Sequence, residues 1–318
     1  MKKLFLNISD HISGVGHLLR LKLSRIVLPG FDGVPLYDVL VFFMRGLFKG
    51  VLSYRASAIA YNFFLALIPL ILFLFTLIPY VTSENIQGTL LDLMDQIIPA
   101  SVFEMVKPTI IEIVSRPQSG LLSLGFIMAV YFATNGIDAI LEGFNQSYHR
   151  IETWSFLRQK LMAFLLMLLI SFLVLTAMLL ITSGNYIISS LDQWFQVSGS
   201  FIKIILVIVQ WLITSGSILL SVSLLYFFGQ KKDKTRRYRF FSAGSTLSTI
   251  LFILGGYFLK LYFENFSNYN VLFGSLGSLI LLMVWLFYNS FIILIGFELD
   301  ASIRRSKTIA EARFRQIS

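Results

Sequence analysis

The 318-residue sequence contains no cysteine, few charged residues and only three histidines. The absence of cysteine excludes disulfide bonds and thiolate metal sites. Charged residues make up 14% of the chain, against roughly 25% in a soluble domain, so they could not cover a water-facing surface. The histidines (His11, His17 and His149) lack metal-ligand spacing, and the sequence has no Gly-rich phosphate loop or nucleophile elbow. The sequence therefore predicts no catalytic site, metal or cofactor.

Hydrophobic residues make up 56% of the chain and are concentrated in six long runs. A helix needs about 20 apolar residues to cross a bilayer core, and each run is long enough. The short alternating strands of a membrane barrel are absent. The sequence therefore predicts an all-α, polytopic membrane bundle with six transmembrane helices and additional interfacial amphipathic helices. The six predicted spans are Ala56–Tyr80, Leu121–Leu141, Leu161–Ser183, Ile204–Phe228, Phe240–Phe263 and Ser275–Leu299.

Positive charge alternates from one gap between spans to the next. Of the 26 Lys and Arg residues, 22 lie in the two terminal segments and in the gaps after the second and fourth spans. Because loops rich in Lys and Arg stay in the cytoplasm, both termini are predicted to be cytoplasmic. The basic run at 231–239 is predicted to contact anionic lipid headgroups. The net charge of +9 therefore requires no nucleic-acid partner.

The chain divides into three predicted regions. Residues 1–55 form a cytoplasmic N-terminal segment, in which Leu36–Leu52 has the periodicity of a helix lying on the membrane surface. Residues 56–302 form the six-span domain, and residues 303–318 form a cytoplasmic tail. Within the membrane domain, residues 83–119 form an outer amphipathic segment. That segment is either a static cover over the bundle or a gate.

Several polar residues of the predicted spans fall in the cytoplasmic half of the membrane. Polar groups in lipid are costly and are often functional. The hypothesis is one polar cavity, open to the cytoplasm, between the first, second and sixth spans, in which Arg55 pairs with Asp138 or Glu142. The alternative is that these residues are interfacial caps and ion pairs that only join helices. The candidate cavity residues are Arg55, Asn62, Asp138, Glu142, Asn145, Tyr288 and Glu298.

Two further features concern helix shape and packing. Pro69 lies in the middle of the first span, where it removes a backbone donor and should bend the helix. We interpret it as a candidate hinge, with simple packing as the alternative. Gly244 and Ser248 form a small-xxx-small pair, which predicts a close contact between two helices.

Three stretches carry a resemblance to a known family: Arg55–Pro69, Gly136–Tyr148 and Tyr269–Glu298. In order and spacing, over about residues 40–302, they resemble the YihY/BrkB family of bacterial inner-membrane proteins, which has an older ribonuclease label. The resemblance implies six spans, an inner-membrane location and a link to envelope integrity or serum resistance. For some members it also implies a role in moving lipids or other solutes. The sequence has no metal-binding acidic cluster to support the ribonuclease label.

Three functions remain open from the sequence. The leading hypothesis is a transporter-like protein, not an enzyme, that moves a lipid, another amphiphile or a small solute across the inner membrane. The second is a non-transporting scaffold for envelope integrity. The third, which the sequence disfavours, is a membrane-bound hydrolase. The partners expected are membrane lipids and an unidentified solute or lipid substrate.

Overall fold

The computed structural model describes residues 22–24, 26–28, 30–49, 51–81, 107, 111, 117–147, 154–195, 199–230, 239–265 and 275–317. Over these residues the chain forms α-helices and no β-strand. The helices are α1 (Leu36–Lys49), α2 (Leu52–Val81), α3 (Ser119–Asn145), α4 (Phe156–Phe195), α5 (Gly199–Phe228), α6 (Ala243–Asn265) and α7 (Ser275–Ile317). The predicted outer segment at 83–119 and the basic run at 231–239 lie almost wholly outside the described residues.

The helical membrane fold is confirmed. Where side chains are described, five helices are long and apolar enough to cross a membrane, within α2, α3, α4, α5 and α7. In the same set of residues the apolar part of α6, Ala243–Leu259, is shorter. The predicted six spans are therefore matched by five long helices and this shorter one. Large apolar side chains such as Phe172 and Leu179 point outward and are about two-thirds exposed, as a lipid-facing surface requires.

The helices form a ring. Each of α2 to α6 contacts the next helix along the chain, and α7 closes the ring against α2. The main buried cluster lies at one end, around the start of α2, the end of α3 and the middle of α7. We call this end the inner end, because the charge pattern predicts that it faces the cytoplasm.

The start of α6 shows how side chains place a helix end. Ser242 precedes α6, and its hydroxyl accepts a hydrogen bond from the Ser245 amide at 3.1 Å, while the Ser242 amide donates to the Ser245 hydroxyl at 3.0 Å. The Gly244 amide donates to the Asp300 carboxylate of α7 at 2.7 Å. These bonds satisfy amides that a helix leaves unpaired at its N-terminus.

The predicted contact at Gly244 and Ser248 is confirmed. A Cβ on Gly244 would overlap the Gly296 carbonyl oxygen of α7, so only glycine allows the two backbones to approach this closely. The Ser248 hydroxyl donates to the Ile292 carbonyl of α7 at 3.2 Å. The hydrophobic effect does not drive helix association within lipid. Small residues instead let two backbones approach closely, and the resulting van der Waals packing and hydrogen bonds hold the helices together.

Helix α1 packs on the inner end of α7. It is three residues shorter than the predicted interfacial helix, since it ends at Lys49 and the chain turns through Val51, which has a φ of 48°. Val39 of α1 is fully buried in a small cluster with Leu299 and Ile303 of α7. Helix α7 runs on through the predicted boundary at residue 302 without a break.

Candidate functional site

A buried ion pair joins three helices at the inner end. The Arg55 side chain of α2 donates from Nη2 to Oε1 of Glu298 in α7 at 2.6 Å, and from Nη1 to the Gly143 carbonyl of α3 at 2.7 Å. The Ser147 hydroxyl, just after α3, donates to the other Glu298 oxygen at 3.0 Å. The Glu298 side chain is fully buried and that of Arg55 is 2% exposed. We call these four residues the Arg55 network.

The predicted pairing of Arg55 with Asp138 or Glu142 is therefore wrong. All three carboxylates lie at a similar predicted depth, but helix rotation separates them. Glu298 projects from α7 toward Arg55, whereas Asp138 pairs with Lys160 of α4 at 2.7 Å. Burial favours the observed partner, since an arginine removed from water needs a counterion that is removed with it.

A polar cleft of about 420 Å³ lies beside the Arg55 network. Its walls come from α2, α3 and the start of α4. The predicted cavity between the first, second and sixth spans is corrected accordingly, because α4 supplies the third wall and α7 supplies no lining residue. The polar lining residues of the cleft are Arg55, Asn62, Tyr131, Asn135, Asp138, Glu142, Gln146 and Lys160.

The cleft faces away from the centre of the bundle. Tyr131, Asn135, Asp138 and Glu142 follow one another at intervals of four, three and four residues, which places them on one stripe of α3. The buried face of α3 carries Ile137, Ile140, Leu141 and Phe144. With 3.6 residues per turn, the two faces point roughly 140° apart. The polar stripe therefore opens sideways, between α2 and α4, toward the membrane and the inner end.

Hydrogen bonds connect the two walls of the cleft at α3 and α4. Lys160 donates to Asn135 at 2.9 Å in addition to its ion pair with Asp138. Gln159 donates to Asp138 at 2.8 Å and accepts from Asn145 at 2.7 Å. Polar groups that would be costly in lipid are thereby paired with one another.

The remaining predicted residues have different positions. Asn62 lines the cleft and donates to the Ala58 carbonyl one turn earlier at 2.9 Å. Asn145 lies at the edge of the cleft, through its bonds to Gln159 and Glu142. Tyr288 is not part of the cleft, since it packs against Gly255 of α6. Pro69 is buried within α2, which remains one continuous helix, and its role as a hinge stays a prediction.

Sequence reasoning missed Gln159 and Lys160. Both lie in the first two turns of α4, and in the sequence Lys160 is one of the positive charges in the gap after the second predicted span. The available signal was their position at the start of a predicted span. That position places them at the same depth as Asp138, which lies near the end of the preceding span.

Aromatic residues close the centre of the ring near the inner end. Phe144 of α3 stacks on Phe297 of α7 with ring centroids 3.9 Å apart. Tyr226 of α5 meets both rings edge-on, at 5.7 and 5.8 Å. Because these three helices alternate around the ring, their side chains meet at its centre. The polar cleft is thus separated from the bundle axis by tightly packed rings.

Comparisons with known proteins agree with the membrane fold. The family model for "Virulence factor BrkB" matches residues 45–316. The chain is 28% identical to "Putative ribonuclease-like protein YfkH" of Bacillus subtilis, over 81% of this chain and 92% of the relative. It is 25% identical to a "UPF0761 membrane protein" of Coxiella burnetii, over 77% and 85% of the two chains. A "UPF0761 membrane protein" of Psychromonas ingrahamii is 22% identical, over 84% and 88%. No solved structure matches the chain.

Proposed function

The chain belongs to the virulence factor BrkB family, and on that premise we propose that it moves a lipid or another amphiphile across the bacterial inner membrane. In this proposal both termini are cytoplasmic, and the polar cleft holds the head of the amphiphile while its apolar tail stays in the bilayer. The proposal assigns no reaction, cofactor or metal to the cleft. It is a transport role, not an enzymatic one.

The observation that carries the proposal is the orientation of the polar stripe on α3. A spanning helix that buries Ile137, Ile140 and Phe144 would ordinarily present apolar side chains to lipid on its opposite face. Helix α3 instead presents Asn135, Asp138 and Glu142 there. A polar surface that is open to the bilayer from the side suits a molecule whose head is polar and whose tail is not.

The same geometry favours an amphiphile over a small aqueous solute. A solute would need a polar route through the middle of the ring, and that position is occupied near the inner end by Phe144, Tyr226 and Phe297. The Arg55 network ties α2, α3 and α7 together next to these rings. A head that travels along the outside of α3 does not have to pass through this packed region.

The second candidate is a non-transporting scaffold that maintains envelope integrity. The tight junction of α2, α3 and α7 through the Arg55 network is the observation that favours it, because a static bundle gains from such a tie. The two candidates differ in one measurable property. A scaffold leaves lipid distribution between the leaflets unchanged.

The test is lipid movement in reconstituted vesicles. The purified full-length protein is inserted into vesicles that contain tail-labelled fluorescent phospholipids, and a membrane-impermeant quencher reports the label that reaches the outer leaflet. Protein-containing vesicles should expose label faster than empty ones. Asp138→Asn and Glu142→Gln should each slow the appearance of label in the outer leaflet at least about tenfold, which is the effect of losing one charge-assisted hydrogen bond.

The matched control is Glu311→Gln, which removes a carboxylate from an exposed position on α7 outside the cleft. It should move lipid at the wild-type rate. Asp138→Asn should remain folded, since the Asp138–Lys160 pair is partly exposed and such pairs contribute only about 0–1 kcal/mol. Equal rates in empty and protein-containing vesicles would refute the transport role and leave the scaffold as the function.

A further inference from the structure

The charges that line the polar cleft are unequally compensated. Lys160 and Asp138 form an ion pair at 2.7 Å. The guanidinium of Arg55 pairs with Glu298, which is buried behind the cleft wall, at 2.6 Å. The fourth charged lining residue is Glu142. Among the described residues no cationic side chain lies within ion-pair distance of it.

The Glu142 carboxylate receives only neutral donors. The Gln146 amide donates to one oxygen at 3.1 Å and the Asn145 amide reaches the other at 3.5 Å. A carboxylate can accept about four hydrogen bonds, so acceptor positions stay open on an exposed side chain at the mouth of the cleft. Glu142 is thus an anionic group in a cleft whose other charges are already paired.

We propose that the cleft binds a zwitterionic phospholipid with a primary ammonium headgroup, such as an ethanolamine lipid, and that Glu142 binds the ammonium. This inference rests on the proposed function and names the lipid that the cleft holds. The ammonium donates N–H hydrogen bonds to the open positions of the Glu142 carboxylate. The lipid phosphate accepts from Lys160, which has three N–H donors and uses two of them on Asp138 and Asn135.

The order of these groups along α3 matches the order of groups in a lipid. Glu142 lies about 6 Å nearer the inner end than Asp138, given a rise of about 1.5 Å per residue, and Lys160 is held at the level of Asp138 and Asn135. In the cytoplasmic leaflet the ammonium of such a lipid lies nearer water and the phosphate lies deeper. The headgroup can therefore enter the cleft without turning over.

Two other lipid classes fit less well. An anionic lipid without an ammonium would bring its negative charge to Glu142 and would leave that carboxylate uncompensated. A choline lipid has no N–H to donate, and quaternary ammonium groups are bound by aromatic cages. The aromatic residue that lines the cleft, Tyr131, is 11 residues from Glu142 on α3, about 16 Å along the helix axis.

Native mass spectrometry of the purified full-length protein tests this assignment. The protein is titrated separately with phosphatidylethanolamine, phosphatidylcholine and phosphatidylglycerol that have identical acyl chains. The wild type should bind the ethanolamine lipid about tenfold more tightly than either of the others, as one charge-assisted hydrogen bond allows. Glu142→Gln should bring the three affinities to within about twofold, whereas Glu142→Asp should retain part of the preference and Glu311→Gln all of it.

Each contrary result has one meaning. An undiminished ethanolamine preference in Glu142→Gln, or tighter binding of phosphatidylglycerol by the wild type, overturns the assignment to Glu142. Soluble phosphoethanolamine that displaces the lipid at equal concentration shows a site for a free headgroup and overturns the lipid assignment. If the preference is present but labelled lipid does not cross vesicles, the binding site stands and the transport role fails. If lipid crosses without a preference, the transport role stands and this inference fails.

Discussion

Replacing Glu298 with glutamine should destabilise the bundle by about 3–5 kcal/mol. The Glu298 side chain is fully buried and accepts hydrogen bonds from Arg55 at 2.6 Å and Ser147 at 3.0 Å. Glutamine preserves the shape but removes the negative charge, so that the Arg55 guanidinium is left buried without its counterion. Removing one member of a buried ion pair costs about 3–5 kcal/mol. That cost shifts the unfolding equilibrium by roughly 10²- to 10⁴-fold.

A double substitution separates charge from packing. Arg55→Met should be about as destabilising as Glu298→Gln, because it leaves the Glu298 carboxylate buried without a cation. The double variant Arg55→Met/Glu298→Met removes both charges and should recover at least half of the loss, since apolar replacement of a whole buried pair is often neutral. The control, Arg45→Met, affects an exposed arginine of α1 and should change stability by about 0.5 kcal/mol or less.

The assay is reversible unfolding in mixed micelles with increasing dodecyl sulfate, followed by the fluorescence of the four tryptophans. A double-mutant cycle then yields the coupling energy of the pair. The reasoning is refuted if Glu298→Gln unfolds within about 1 kcal/mol of the wild type. It is also refuted if the double variant loses the sum of the two single effects, since additive losses would mean that the two charges do not interact.

Two further predictions concern packing and topology. Gly244→Ala should lower the midpoint of thermal unfolding sharply, because the added Cβ overlaps the backbone carbonyl of Gly296. The control is Gly256→Ala, which should leave the midpoint nearly unchanged because Gly256 has open space around it. Equal midpoints for the two variants would contradict the close helix contact. Since the chain has no cysteine, Ser318→Cys introduces a single thiol, and a membrane-impermeant maleimide should label it only after the cells are opened. Labelling of intact spheroplasts would contradict the cytoplasmic C-terminus.

The position of the polar stripe on α3 was predictable, but its direction was not. Asn135, Asp138 and Glu142 recur at helical spacing, so the sequence alone places them on one face of a spanning helix. Either this polar face or the apolar face of the same helix could have turned toward the centre of the bundle. The structure buries Ile137, Ile140 and Phe144, and the polar face consequently opens between α2 and α4.

The partner of Arg55 shows a limit of reasoning from depth. Asp138, Glu142 and Glu298 all fall near the inner end, so depth along the membrane normal could not distinguish them. Lys160 was the missing competitor, because its ion pair with Asp138 removes one candidate. Helix α7 supplies Glu298 from 243 residues away in the chain, a contact that depends on which helix closes the ring.

The sequence by itself determined that this chain is a helical membrane protein, approximately where each helix runs, and which polar residues share a depth. These properties follow from the length, periodicity and charge of single segments, which each segment carries regardless of its neighbours. Only the tertiary structure decided that Glu298 neutralises Arg55, that α4 completes the cleft and that the cleft faces outward. Those properties depend on the rotation of each helix about its axis and on its neighbours in the ring, and both are set by side-chain packing between segments far apart in the chain.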